Sequence, residues 1–438
     1  MVGPASQSLF NTTSRLSGLL YPEFWTAKGL EQHVWRTLSA SAFQSLISCI
    51  ELDSCAPNQK KVIIVGSMYF RHALRGEVGG EEIWCITYHL RHSQIKAMRN
   101  TGYTVLYVHN LHEAVQVYRI LPSLVKIVIV DDWDSFGCWK DEQNCLRTVQ
   151  NPSGIPGYKI LSFYFWPFPR HPLGPRWILA PEPYYLENDN RIFNNTYLGY
   201  SIEGSCAMTE FVPSAARPDP PRVWLQAKLL SYFVPGRGPG QDRAWSKEDL
   251  DFAAEQTGAT YRMAASHKPL DIDKKLSPEK PGLPDAAINY GRLNQSLFME
   301  KIANSRVLLG MGSPIISPTP WNSLCLGVPY INPVWDWDRA NPDDSSKWHT
   351  QHPFAALLSK PYVYNVRSGD RKGLAKAIEE ALANPIGSYI PERMRMASIE
   401  KRLAEIVDTD WEAEEKKQAE WCNELCGCAK PCDTWMLD

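Results

Sequence analysis

The stretch Ser305–Pro333 limits the possible folds of this chain more than any other. Arg306–Leu309 is an apolar run of strand length, closed by Gly310 and Gly312. Thr319 is a good N-cap, Pro320 suits the first helical position, and Gly327 suits the position just past a helix end, so a short helix is bracketed on both sides. Val328–Ile331 then resumes a strand before Pro333. Strand, glycine loop, helix and strand in that order belong to a parallel α/β sheet. A glycine-bearing loop that feeds a helix N-terminus offers unpaired N–H groups and the positive end of the helix dipole, which suits a phosphate or diphosphate. An ordinary turn without a ligand carries the same residues.

The first part of the chain repeats the theme. Lys60–Gly66 is a buried-type strand ending in glycine, and a loop with Gly76, Gly79 and Gly80 leads to a helix expected from about Glu81 to Asn100. Thr104–Val108 and Val125–Val130 read as strands, with a helix over Leu111–Ile120 between them. Strands alternating with helices at this spacing predict a doubly wound sheet, with ligands beyond the carboxyl ends of its strands. Further on, Tyr197–Glu203 and Val223–Leu230 read as strands, the second with Lys228 inside it, and Ser246 is the expected cap of the next helix. Tyr362–Val366 is a strand, while Asp370–Ala383 and most of Met394–Trp421 are amphipathic helix. The expected organisation is an irregular N-terminal arm over 1–58 with helical patches around Leu30–Ile50, Rossmann-like domains over 59–193 and 194–405 facing each other across a cleft, and a helix with a cysteine-rich tail over 406–438.

Composition narrows the function. A formal net charge of −2 argues against a nucleic-acid binder, and 44% hydrophobic with 21% charged residues describes a packed globular protein. No apolar run approaches the roughly 18–20 residues of a membrane span. No basic-then-apolar leader opens the chain, so it is expected to be soluble as it stands, or the lumenal part of an anchored protein. Of its 11 cysteines, Cys422, Cys426, Cys428 and Cys432 crowd the tail. Zinc is one reading, but paired Cys-x-x-Cys knuckles are missing, so disulfides in an oxidising compartment rank first. The sequons at Asn11, Asn194 and Asn294 permit that compartment.

Phe298–Pro333, Thr350–Ala355 and Lys360–Val366 together resemble glycosyltransferase family 18. Asn195–Glu203, Lys228 with Ser231-Tyr232-Phe233, and Asn289-Tyr290-Gly291 fall in the family's order, and the cysteine-rich tail has a counterpart there. The resemblance is good over about 195–385 and weak before it. It implies a GT-B architecture and an inverting, metal-independent transfer of N-acetylglucosamine from UDP-N-acetylglucosamine, in β-1,6 linkage, to a mannose-containing glycan of a glycoprotein. It also implies a Golgi or secretory location behind an anchor this chain lacks, with no cofactor beyond the UDP-sugar substrate. A family-shaped protein without turnover, acting as a glycan-binding or assembly module, is the alternative.

On the resemblance, the donor-binding residues are Lys228, Gly312, Ser313, Thr319, Asn322, Gln351 and His352. The family usually has a carboxylate for the ribose hydroxyls where this chain has Asn322, which can still accept one hydrogen bond and donate another. Inverting transfer needs a carboxylate to take the acceptor's proton. Glu82 is the first candidate, Glu81 the second, and Glu77 belongs to the same cluster, although acids at a helix start are also favoured by the dipole alone. Asp131-Asp132-Trp133-Asp134 resembles a metal-binding Asp-x-Asp motif, but turn capping is the simpler reading, and no metal is assigned.

Overall fold

A computed structural model describes residues 34–75, 93–165, 170–184, 195–234, 244–266 and 282–426, with side chains of the last helix described only as far as Glu420. The chain divides into two compact units, one made of residues 1–185, 189–201 and 393–438, the other of 186–188 and 202–392.

The first unit opens with helix α1 (Val34–Glu51), followed by β1 (Val62–Val65), α2 (Met68–Arg75), α3 (Ile95–Asn100), β2 (Thr104–Tyr107), α4 (Leu111–Ile120), β3 (Val125–Val130) and α5 (Asp132–Lys140). Strands β4 (Ile160–Phe163), β5 (Ile178–Ala180) and β6 (Thr196–Tyr197) complete it. The sheet is parallel, in the order β2-β1-β3-β4-β5-β6. All four residues of β1 are buried, as a β-branched run covered on both faces should be. Ile63 and Val65 join one core with Leu161 and Phe163, while Val62 and Ile64 join another with Val128 and Val130.

The helical patches expected around Leu30–Ile50 are present as one continuous helix. Val34–Glu51 is an 18-residue helix with Trp35, Phe43 and Leu46 fully buried. Its apolar stripe is interrupted by Ser39, whose hydroxyl is buried and donates to the Tyr107 carbonyl at 2.9 Å. Of the helix expected over Glu81–Asn100, only α3 lies among the described residues.

The second unit runs α6 (Glu203–Ala207), β7 (Arg222–Gln226), α7 (Lys247–Thr257), β8 (Thr260–Met263), β9 (Ala287–Asn289), α8 (Gln295–Ala303), β10 (Val307–Gly310), α9 (Thr319–Cys325) and β11 (Tyr330–Asp336). It ends with β12 (His349–Thr350), α10 (Pro353–Ala356), β13 (Val363–Arg367) and α11 (Arg371–Ala383). The strand order is β12-β11-β10-β7-β8-β9, with β13 also paired to β11. The sheet therefore grows one way from β7 through β8 and β9, then resumes with β10 on the other side of β7. That reversal is the topological switch point, beyond whose strand ends α/β sheets hold ligands. Ser246 caps α7 as expected, in a reciprocal capping box with Asp249.

Three local expectations change. The strand read over Tyr197–Glu203 is only β6, and Glu203 already starts α6. β7 stops at Gln226, so Lys228 lies two residues past the strand rather than inside it. Pro318, not Thr319, is the N-cap of α9; the Ser317 hydroxyl takes the Thr319 N–H at 3.3 Å, which starts the helix one residue early.

Helices α12 (Met396–Asp408) and α13 (Trp411–Cys426) return to the first unit, where Ile399, Leu403, Ile406, Val407 and Trp411 enter its core. They are separate helices because Thr409 is extended and Asp410 accepts the Ala413 N–H at 3.0 Å. The second unit thus ends at Glu392, and the boundary expected at 405 gives way because these apolar faces belong to the first core. Both units have a Rossmann-like, doubly wound α/β construction.

Candidate functional site

At the switch point of the second sheet, Gln226 of β7 is in register with Gly310 of β10. Lys228 and Gly312 lie two residues beyond that pair. Gly312 has φ +94°, a conformation side chains disfavour, and its N–H donates to Gln351 Oε1 at 2.9 Å. Gln351 Nε2 donates to the Pro314 carbonyl at 2.9 Å, and the Gln351 carbonyl accepts from Ile316 N at 2.9 Å. Gln351 therefore shapes the loop from within. A Cβ on Gly310 would collide with Gln351, with Pro333 and with the Tyr330 hydroxyl, so only glycine fits there. Ile316 has φ +52°, unusual for a β-branched residue and a mark of a backbone held by its surroundings.

All seven residues of α9 are buried. Asn322 Oδ1 accepts the Ser205 hydroxyl at 2.8 Å, and Cys325 forms a disulfide with Cys206, so α6 is tied to α9 twice. At the other end of α9, the buried Arg217 guanidinium donates to the carbonyls of Val212, Ser305, Leu326 and Gly327 at 2.8–3.0 Å. This satisfies acceptors that a helix end leaves open and places a cation at the negative pole. His352 is buried; its N–H donates to Asn332 Oδ1 at 3.1 Å, its Nδ1 accepts Ala355 N at 3.3 Å, and its ring stands edge-on to Trp321. Of the expected donor residues, Gly312, Ser313, Gln351 and His352 are gathered around this loop. Lys228 is half-buried at the neighbouring strand end, with no ion pair among the described residues.

Sequence reasoning missed Gln226. It is 4% exposed, and among the described residues neither its Oε1 nor its Nε2 has a hydrogen-bond partner. The Tyr330 hydroxyl and Thr350 Oγ1 are likewise buried and unpartnered among these residues, and burial pushes the Tyr330 phenol well above its usual pKa. A lone amide closing the apolar run Val223–Leu225 was the available signal.

The first unit's strand ends are arranged otherwise. Asp131, after β3, accepts the Ser67 hydroxyl at 2.5 Å and the Met68 N–H at 2.8 Å. Burial raises its pKa to about 6 against those two bonds. Burial also raises Asp132 and Asp134. Among the described residues no three His, Cys, Asp or Glu side chains are grouped to hold a metal ion. Glu77, Glu81 and Glu82 lie outside the described residues, as do Cys428 and Cys432; Cys422 and Cys426 fall on α13. Disulfides do form at Cys49–Cys55, Cys138–Cys145 and Cys206–Cys325.

Comparison with known proteins bears on the second unit above all. The model of the family described as Glycosyltransferase family 18 matches residues 263–434. An alpha-1,6-mannosylglycoprotein 6-beta-N-acetylglucosaminyltransferase of Caenorhabditis elegans is 21% identical over 169 residues, 34% of this chain and 25% of that protein. The A form of the enzyme from Rattus norvegicus is 22% identical over 140 residues, 29% of this chain and 18% of that protein. The aligned parts thus span a quarter or less of these curated relatives. A sucrose-phosphate synthase structure from Thermosynechococcus elongatus overlaps 84% of this chain and 99% of its own at 12% identity, with a TM-score of 0.42. The family that the sequence resembles is also the one whose model this chain matches over 263–434, glycosyltransferase family 18.

Proposed function

We propose that this protein is an inverting, metal-independent glycosyltransferase that moves N-acetylglucosamine from UDP-N-acetylglucosamine, in β-1,6 linkage, to a mannose-containing glycan of a glycoprotein. The observation that carries the reading is the switch point of the second unit, where a braced glycine loop and Lys228 follow neighbouring strands, the lysine having no ion pair among the described residues. There Lys228 and the loop N–H groups would neutralise the leaving diphosphate, which a transferase without a cation must do with its own groups. Glu82 or Glu81 would take the proton from the acceptor hydroxyl as its oxygen bonds to the anomeric carbon. The bond from that carbon to UDP breaks on the opposite face, inverting the centre. No cofactor takes part.

The three disulfides fit a secretory-pathway protein. Among the described residues no helix is long and apolar enough to cross a membrane. The engagement of Asn322 by Ser205 supports the second reading, a glycan-binding module without turnover, because it occupies the group expected at the ribose. Transfer from a panel of UDP-sugars to mannose-containing glycans, with and without EDTA, decides between them. UDP-N-acetylglucosamine-dependent product that survives EDTA is expected. Loss with EDTA and rescue by manganese refutes metal independence, and UDP protection against unfolding without any product favours the module.

A further inference from the structure

We infer that Gln226 reads the uracil edge of the nucleotide, an assignment that rests on the donor site proposed above. Gln226 is the last residue of the strand at the switch point and shares the face of Trp224, which is covered by Tyr290 and Phe298. Its register partner Gly310 has no side chain, and the Gln351 amide, Pro333 and the Tyr330 hydroxyl close around that position instead. Burying an amide without hydrogen bonds is costly, yet both ends of this one are unmet among the described residues. A protein retains such a group where a ligand satisfies it.

The shape of the unmet pair selects the ligand. Oε1 accepts and Nε2 donates side by side, so one primary amide pairs in two bonds with a group whose N–H and C=O point the same way. The imide of uracil, N3–H beside its ring carbonyl, is such a cis amide. The acetamido group of the sugar is a trans amide, whose N–H and C=O point apart and cannot both meet one glutamine.

The test is calorimetry of UDP, 3-methyl-UDP (which lacks the N3–H) and pyrophosphate with the full chain and with Gln226→Leu, plus melting of both proteins without ligand. Wild type should bind UDP at least tenfold more tightly than 3-methyl-UDP. Gln226→Leu should bind both equally, with UDP weakened at least tenfold and pyrophosphate unchanged. Ligand-free Gln226→Leu should melt no lower than wild type, because it loses an unsatisfied amide rather than a supporting bond. Equal UDP binding by both proteins overturns the role of Gln226 and leaves the donor site standing. So does equal weakening of UDP and pyrophosphate, or a lower melting temperature in the variant. No UDP binding by wild type overturns both.

Discussion

Removing the Cys206–Cys325 disulfide should cost the protein about twice as much stability as removing either of the other two. The reasoning is entropic. A cross-link restricts the unfolded chain by an amount that grows with the logarithm of the closed loop. Cys206 and Cys325 are 119 residues apart, which gives about 5 kcal/mol at room temperature. The separations of 6 for Cys49–Cys55 and 7 for Cys138–Cys145 give about 2 kcal/mol each. Paired alanine substitutions at each disulfide, followed by urea unfolding and by hydrogen exchange read separately in the two units, measure the differences. The loss for Cys206→Ala with Cys325→Ala should appear in the exchange of the second unit. If that pair costs no more than Cys138→Ala with Cys145→Ala, loop closure is not what this disulfide contributes, and the tie between α6 and α9 is carried by other contacts.

Lys228→Ala should weaken UDP binding by about 1.5–3 kcal/mol, the scale of a hydrogen bond to a charged group, and unchanged affinity in calorimetry would move the diphosphate elsewhere. Glu82→Gln should lower turnover by about 10²- to 10⁴-fold while UDP binds as before; if it and Glu81→Gln both keep near-wild-type rates, the base lies elsewhere. His171, buried between Trp139 and Trp177, has its pKa lowered from 6.5 to about 3 by burial. The unfolded chain therefore takes the proton first, and stability present above pH 6.5 falls by about 1.4 kcal/mol per unit below it. Unfolding free energy measured from pH 7 to 5 should drop by about 2 kcal/mol less in His171→Phe than in wild type, and parallel curves would refute the assignment.

What could be read from the sequence was whatever its local pattern determines. Val62–Val65, Thr104–Tyr107 and Val125–Val130 are short β-branched runs between turn residues, and Ser246 announces its helix by side-chain chemistry alone. The glycine loop of the site was legible for the same reason. What the local pattern left out is settled by distant partners. α1 hides a buried serine because Tyr107, 68 residues on, offers it a carbonyl. Asn322 is met by Ser205 from 117 residues away, a contact that no local pattern shows. Gln226 carries meaning only because β10 folds in beside β7, an adjacency that no window around residue 226 contains.

The return of α12 and α13 to the first unit has a consequence for synthesis. Domains generally fold as units as the chain emerges from the ribosome, N-terminal first. Here the order is inverted. The strands and helices of residues 202–392 are all available while the first unit still lacks Ile399, Leu403, Ile406, Val407 and Trp411. The segment made first is thus the one that finishes last, and until then it exposes the apolar surface those five side chains cover. A nascent chain stopped at Glu392 would hold the whole second unit and an unclosed first core.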